Sequence, residues 1–176
     1  MKKIIIALFA TIMLVIVLCG CAMEKQNTNA DFLRIHIRAN SNSDVDQSVK
    51  YDVKNSIVKY LTGKFDHAKT KSQAIEIVND NLDKITEIAN KTLKEKGFTY
   101  SAKAVLREEE FPARKYDELL LPSDVYDALI VELGSASGDN WWCVVFPPLC
   151  FLSDDSEVEY KSIIYEWYKK LANKES

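Results

Sequence analysis

Apolar and polar positions change rhythm several times along the 176 residues, and each rhythm predicts an element. In "LRIHIR", Leu33, Ile35 and Ile37 alternate with Arg34, His36 and Arg38, which predicts a half-buried strand. Asn40 to Ser43 end it, and Ser43-x-x-Asp46 predicts a capped helix reaching about Leu61. Its inner stripe is Val45, Val49, Val53, Ile57 and Leu61, with Gly63 just beyond. A second helix begins near Thr70, where Gln73 completes the cap, and Ile75, Val78, Leu82, Ile85, Ala89 and Leu93 carry it to Gly97. The period then returns to two: Phe98, Tyr100, Ala102, Ala104 and Leu106 predict a second strand. Pro112 and Pro122 break "REEEFPARKYDELLLPSDVYD" into an irregular connection. "ALIVEL" and "WWCVVF" read as the third and fourth strands, and the turn-forming "GSASGDN" between them predicts a hairpin. Pro147 and Pro148 end the last strand. A third helix follows Ser156-x-x-Glu159, with Tyr160, Ile163, Ile164, Trp167, Tyr168 and Leu171 on one face. The expectation is one α+β domain over residues 31–176: a mixed or antiparallel sheet of about four strands, with three helices packed on one face.

The N-terminus sets the compartment. Lys2 and Lys3 precede an apolar run from Ile4 to Leu18, which suits the core of a signal peptide better than a membrane span. It closes on Leu18-Cys19-Gly20-Cys21, the pattern a lipoprotein signal peptidase cuts. Residues 1–21 therefore read as a signal peptide with lipid attachment at Cys21, and residues 22–30 as a polar tether. An uncleaved anchor and ordinary secretion are the alternatives, and all three put the rest of the chain outside the cytoplasm. Without Lys2 and Lys3 the balance is 21 basic against 26 acidic residues, a net of −5. No basic stripe runs along any segment, which argues against nucleic acid as a partner.

Candidate chemistry centres on "NWWCVVFPPLC", residues 140–150. With Cys21 lipidated, Cys143 and Cys150 are the remaining pair, placed where a disulfide can persist, and Pro147-Pro148 can turn the chain between them. Two reduced thiols are the alternative in an anaerobic setting. Cys143 with His36 could suggest an extracytoplasmic cysteine hydrolase acting on cell wall, but Cys143 lies mid-strand, without the turn to a helix N-terminus that acidifies catalytic thiols. The spacing of Cys143, Cys150 and the two histidines fits no usual zinc site. There is no Gly-rich phosphate loop, Ser elbow or His-Glu-x-x-His motif. The carboxylates Asp44, Asp46, Asp154 and Asp155 stand at predicted helix starts, and Glu108 to Glu110 read as solvated. A solute-binding lipoprotein would need a cleft between domains, and the chain is short for two. The residues predict neither an enzyme nor a cofactor or metal site.

Two segments carry a family resemblance. One runs from Arg34-Ile-His36-Ile-Arg-Ala39-Asn40-Ser41-Asn-Ser43-Asp44-x-Asp46-Gln47 into the following helix. The other is Leu133-Gly134-x-x-x-Gly138-x-Asn140-Trp141-Trp142-Cys143-Val-Val-Phe146-Pro147-Pro148-Leu149-Cys150-Phe151. Phe111-Pro112, Tyr116 and Leu121-Pro122 also fall where the family has them. Over about residues 32–152 the chain resembles stage II sporulation protein R of endospore-forming bacteria. The resemblance implies a signalling protein that is made in the forespore and exported into the septal space. There it activates a membrane-embedded aspartic protease of the mother cell, which processes a sigma factor precursor. Tyr116-Asp117 and Pro122-Ser123-Asp124 depart from the family's Tyr-Gly and Pro-Ala-Gly, so this connection is expected to differ in shape.

Strand alternation puts Trp141, Cys143 and Val145 on one face and Trp142, Val144 and Phe146 on the other, so one tryptophan, Trp142 by preference, is expected to be exposed. Asn140, Trp141, Trp142, Phe146, Pro147 and Pro148, with Arg34, His36 and Asn40, are the candidate partner-binding residues. A purely core-building role for the motif, and strand-face charge for Arg34 and His36, are the competing readings. Intact-mass measurement of the exported protein should find a diacylglyceryl adduct on a chain beginning at Cys21. An unmodified N-terminus at any other residue would rule this out.

Overall fold

The computed structural model describes residues 31–116 and 119–148. The expected signal peptide and tether, Cys21, Cys150 and the helix expected after Ser156 lie outside them. Among the described residues the order is β1 (Leu33–Arg38), α1 (Asp44–Leu61), α2 (Lys71–Asp80), α3 (Leu82–Glu95), β2 (Ala102–Phe111), β3 (Arg114–Tyr116), β4 (Leu119–Leu121), β5 (Asp124–Leu133) and β6 (Asn140–Phe146). A four-stranded mixed sheet is ordered β2-β5-β1-β6, and β3 and β4 form a separate two-stranded ribbon. This is the α+β fold expected.

Both helix starts form as read. Ser43 accepts the Asp46 N–H at 3.3 Å, and Thr70 accepts the Gln73 N–H at 3.3 Å. The inner stripe of α1 is Asp46, Val49, Lys50, Val53, Ile57 and Leu61, while Val45 is 65 % exposed. Asp46 thus takes the inward place that apolarity alone assigned to Val45. The expected second helix is two, because Asn81 interrupts it. Its side chain donates to the Ile77 carbonyl at 2.7 Å and accepts from Tyr60 Oη at 2.5 Å. An Asn that bonds backbone in this way competes with helix continuation, and a break of one residue leaves the apolar rhythm intact.

The helices cover one face of the sheet. Leu33, Ile35, Ile37, Leu129, Val131, Leu133 and Val145 meet Val53, Ile57, Leu61, Val78, Ile85 and Leu93 there. Burial of each such side chain contributes about 1.5–3 kcal/mol. The opposite face holds a second core of Phe32, Phe111, Leu121, Tyr126, Ala128, Ile130 and Val144. β1 is therefore covered on both faces rather than half-buried: Arg34 and His36 are 0 % and 1 % exposed. The cover comes from the segment expected to be irregular. β2 continues through Phe111 and pairs with β5 as far as Asp124, and the β3–β4 ribbon packs Leu119 and Leu121 beneath it. β2 curls over this face, so Phe111 reaches Trp142, three strands away, at 4.7 Å between ring centroids.

The expected hairpin between the last two strands does not form. β1 lies between them, parallel to β5 and antiparallel to β6. The "GSASGDN" loop instead crosses the end of β1 and is bonded to it. The Gly138 N–H donates to the Ala39 carbonyl at 2.9 Å, and the Ser135 N–H donates to Asn40 Oδ1 at 2.9 Å. A Cβ on Gly138 would lie 2.2 Å from the Ser41 carbonyl oxygen. One on Gly134, at φ +56°, would lie 2.2 Å from Asn40 Oδ1. Gly138→Ala and Gly134→Ala should each cost about 1–3 kcal/mol in urea denaturation through forced overpacking. Gly97→Ala, at φ +82° with nothing within 4 Å, should cost about 1 kcal/mol from backbone strain alone. Equal losses at all three would remove the case for a tight crossover.

Candidate functional site

The two signature segments meet at the end of β1. The Asn40 carbonyl accepts from Ser135 Oγ at 2.7 Å and Ser137 Oγ at 2.8 Å. Asn40 Nδ2 donates to Asp46 Oδ2 at 2.9 Å. Ser41 Oγ and Tyr100 Oη also donate to the Asp46 carboxylate, at 2.5 and 2.6 Å. Burial opposes the charge on Asp46, but the bonds from Ser41, Tyr100, Asn40 and Ser43 prevail and hold its carboxyl below the usual range. Burial and Asp46 together push the Tyr100 phenol well up. Lys50, 2 % exposed, donates to Gln47 Oε1 at 2.6 Å and the Asp139 carbonyl at 3.1 Å, and burial lowers its pKa. The knot is a latch: Asn40 and Lys50 bond the crossover loop, and Asp46 gathers donors from Asn40, Ser41 and Tyr100 behind them.

Beside the latch, the second sheet face carries Arg34 and His36. The His36 imidazole stacks on Trp142 at 3.7 Å and 22° and meets Phe111 edge-on at 5.8 Å. Among the described residues neither ring nitrogen has a hydrogen-bond partner of good geometry. The Asn140 side chain beside the ring favours the protonated form. Burial dominates, and Arg38 adds to it, so the pKa falls to about 4 and the imidazole is neutral at pH 7. Arg34 donates Nη2–H to Tyr116 Oη at 2.8 Å. Its Cζ lies 4.2 Å from the Phe111 ring centroid and 4.9 Å from that of Tyr126. At the outer end, Arg38 pairs with Glu109 and Glu132, and Arg107 joins the same two carboxylates at 3.1 and 3.0 Å.

The sequence-predicted residues divide accordingly. Arg34, His36, Phe146 and Pro147 are interior, Asn40 is the latch, and Asn140 is exposed. Trp141 and Trp142 lie on opposite faces as alternation requires, but both are half-buried, so Trp142 is not the exposed ring expected. Trp141 packs on the helix side with Lys54 Nζ 5.6 Å from its ring. Phe146 sits with Val145 in the helix-side core, not with Trp142, because a register shift at Leu33/Arg34 re-aims the strand end. Pro147 follows a cis peptide bond, and Pro148 is half-buried. Cys143 is disulfide-bonded. It faces the helix side while His36 faces the other, so the two cannot form a nucleophile–base pair. Among the described residues no cluster of three metal-ligating side chains occurs. Lys50, Tyr100, Phe111 and Tyr126 were not legible as site residues. For Lys50, its place next to Val49 and three residues before Val53 on the inner stripe was the available signal.

Fold and site define a class: a single-domain α+β protein whose two sequence signatures, about 95 residues apart, are tied by a polar latch beside an aromatic-lined sheet face. The comparisons narrow it. Residues 29–156 match the family described as stage II sporulation protein R, and the chain belongs to that family. Stage II sporulation protein R of Bacillus subtilis (strain 168) is 31% identical over 160 residues, covering 86% of this chain and 71% of the relative. No solved structure matches. The chain is a sporulation protein.

Neutral, buried His36 makes stability pH-dependent. The unfolded chain takes up a proton below about 6.5, whereas the folded chain refuses it until about 4. Stability is therefore complete above the first value, falls as pH falls between the two, and flattens below the second, by up to about 3 kcal/mol. Asp46, whose carboxyl is held below the usual range, acts in a separate, more acidic window. Urea midpoints measured from about pH 7.5 to about pH 4.5 should fall for the wild type and fall less for His36→Phe. Parallel curves would show that His36 does not govern this range.

Proposed function

We propose that the chain is an exported signalling protein that triggers a membrane-embedded aspartic protease, which then processes a sigma factor precursor in the mother cell. Membership of the stage II sporulation protein R family carries this reading. The apolar run ending at Leu18-Cys19-Gly20-Cys21 supports export and lipid anchoring on the forespore side of the septal space. The separation of Cys143 from His36 weighs against hydrolysis of cell wall as the signal. In this reading the partner meets the end of the domain where the latch closes, at exposed Asp139 and Asn140 and the half-buried tryptophans behind them.

The test is co-expression of the chain, the protease and the precursor in a host that does not sporulate. Precursor cleavage should depend on the chain. Asn140→Ala should melt like the wild type and cleave less, because an exposed side chain at a contact costs binding rather than folding. No cleavage with the wild-type chain present and exported would overturn the reading.

A further inference from the structure

Arg34 stands out among the described residues. Its guanidinium is fully buried, yet it forms no ion pair among the described residues. Among the described residues Nε and Nη1 have no acceptor, and Nη2 bonds a neutral phenol. The charged side chain that bears on it is Arg114, of like sign. Aromatic faces stabilise a cation but accept no hydrogen bonds in the guanidinium plane. A buried arginine normally has a carboxylate against it, because two N–H groups and a full charge are costly to leave uncompensated.

The cover over Arg34 is lightly held. β3 and β4 are three residues each and bond to no other strand, and a two-stranded ribbon of that size is marginal by itself. It is retained by the Tyr116–Arg34 bond, by Leu119 and Leu121, and by Tyr126 Oη donating to the Pro122 carbonyl at 2.9 Å. Leu120, on its outer side, is 62% exposed.

We propose that Arg34 is a carboxylate-binding site for an acidic side chain of a partner protein, reached when the β3–β4 ribbon lifts from the second sheet face. Arg34 presents planar N–H donors that match a carboxylate, and Phe111, Tyr116 and Tyr126 form apolar walls that strengthen a single ion pair. Those walls offer too few donors for a phosphate dianion. Tyr116 occupies one guanidinium donor in the closed state and surrenders it when the ribbon opens.

The carboxylate chemistry is tested without any partner. In ¹⁵N NMR of the full chain, the Arg34 Nε–H resonance, assigned by its loss in Arg34→Met, should shift saturably with acetate and not with chloride at equal ionic strength. Tyr116→Phe removes a closing bond, so it should raise the open fraction and tighten acetate binding about threefold or more. No shift, or the same shift with chloride, would overturn the site. The partner role rests on the protease reading and is tested separately by co-expression. Arg34→Met should melt at or above the wild type, since removing an uncompensated buried charge favours folding, and should abolish precursor cleavage. A folded Arg34→Met that still triggers cleavage would overturn the partner role, and one that does not fold would return Arg34 to the core. Failure of the wild type to trigger cleavage would instead sink the protease reading and leave the acetate result standing.

Discussion

The bonds from Asn40 to the crossover loop are the constraint on which the domain depends. β5 and β6 are joined by six residues but are not neighbours, because β1 runs between them. The chain must pass over the end of β1, and its backbone must be satisfied there without a sheet partner. Asn40 does this with both its carbonyl and its side chain, and Ala39 and Asn42 take the next two N–H groups. Asp46 then holds Asn40 from the first turn of α1, so helix, central strand and crossover are fixed at one point. The glycines follow from the same closeness, since a Cβ at either position would overlap Asn40 or Ser41.

The second sheet face solves a different problem. A central strand with a fully buried Arg and His must be covered by something other than a purely aliphatic layer. The curl of β2 brings Phe111, and the ribbon and β5 bring Tyr116 and Tyr126, so the cation and the neutral imidazole sit among π-faces. That environment accepts the Arg34 charge through its rings while leaving N–H groups unpaired, and it keeps His36 deprotonated. The face is thus a packed layer whose polar capacity is not used up within the described residues. Among the described residues the helix side shows no such surplus: its core is mostly aliphatic, with Phe65 and Phe146, and the buried Asp46, Lys50 and Thr92 are hydrogen-bonded.

Element type was legible wherever a side chain's role depended on near neighbours in the chain. The helix caps at Ser43 and Thr70, the strand rhythm of β1 and β6, and the stop at Gly97 each need only residues three or four apart, so spacing was sufficient. The family signature was legible for a related reason: unusual residues such as Asn40, Gly134, Gly138 and the paired tryptophans stand in the sequence whether or not their contacts are known. Strand order was not legible, because "GSASGDN" has the composition of a hairpin turn, and only the bonds from Asn40, distant in sequence, make it a crossover. Arg34 and His36 looked like a solvent face because alternation reports that a strand has two sides and says nothing of what covers each. The cover lies about 80 residues away, in a stretch whose prolines masked two short strands and the end of a long one. Burial of Lys50 and Asp46, the neutral state of His36 and the unpaired donors of Arg34 are all properties of what surrounds a group in space, and they came into being only when the sheet, the curl of β2 and the crossover closed together.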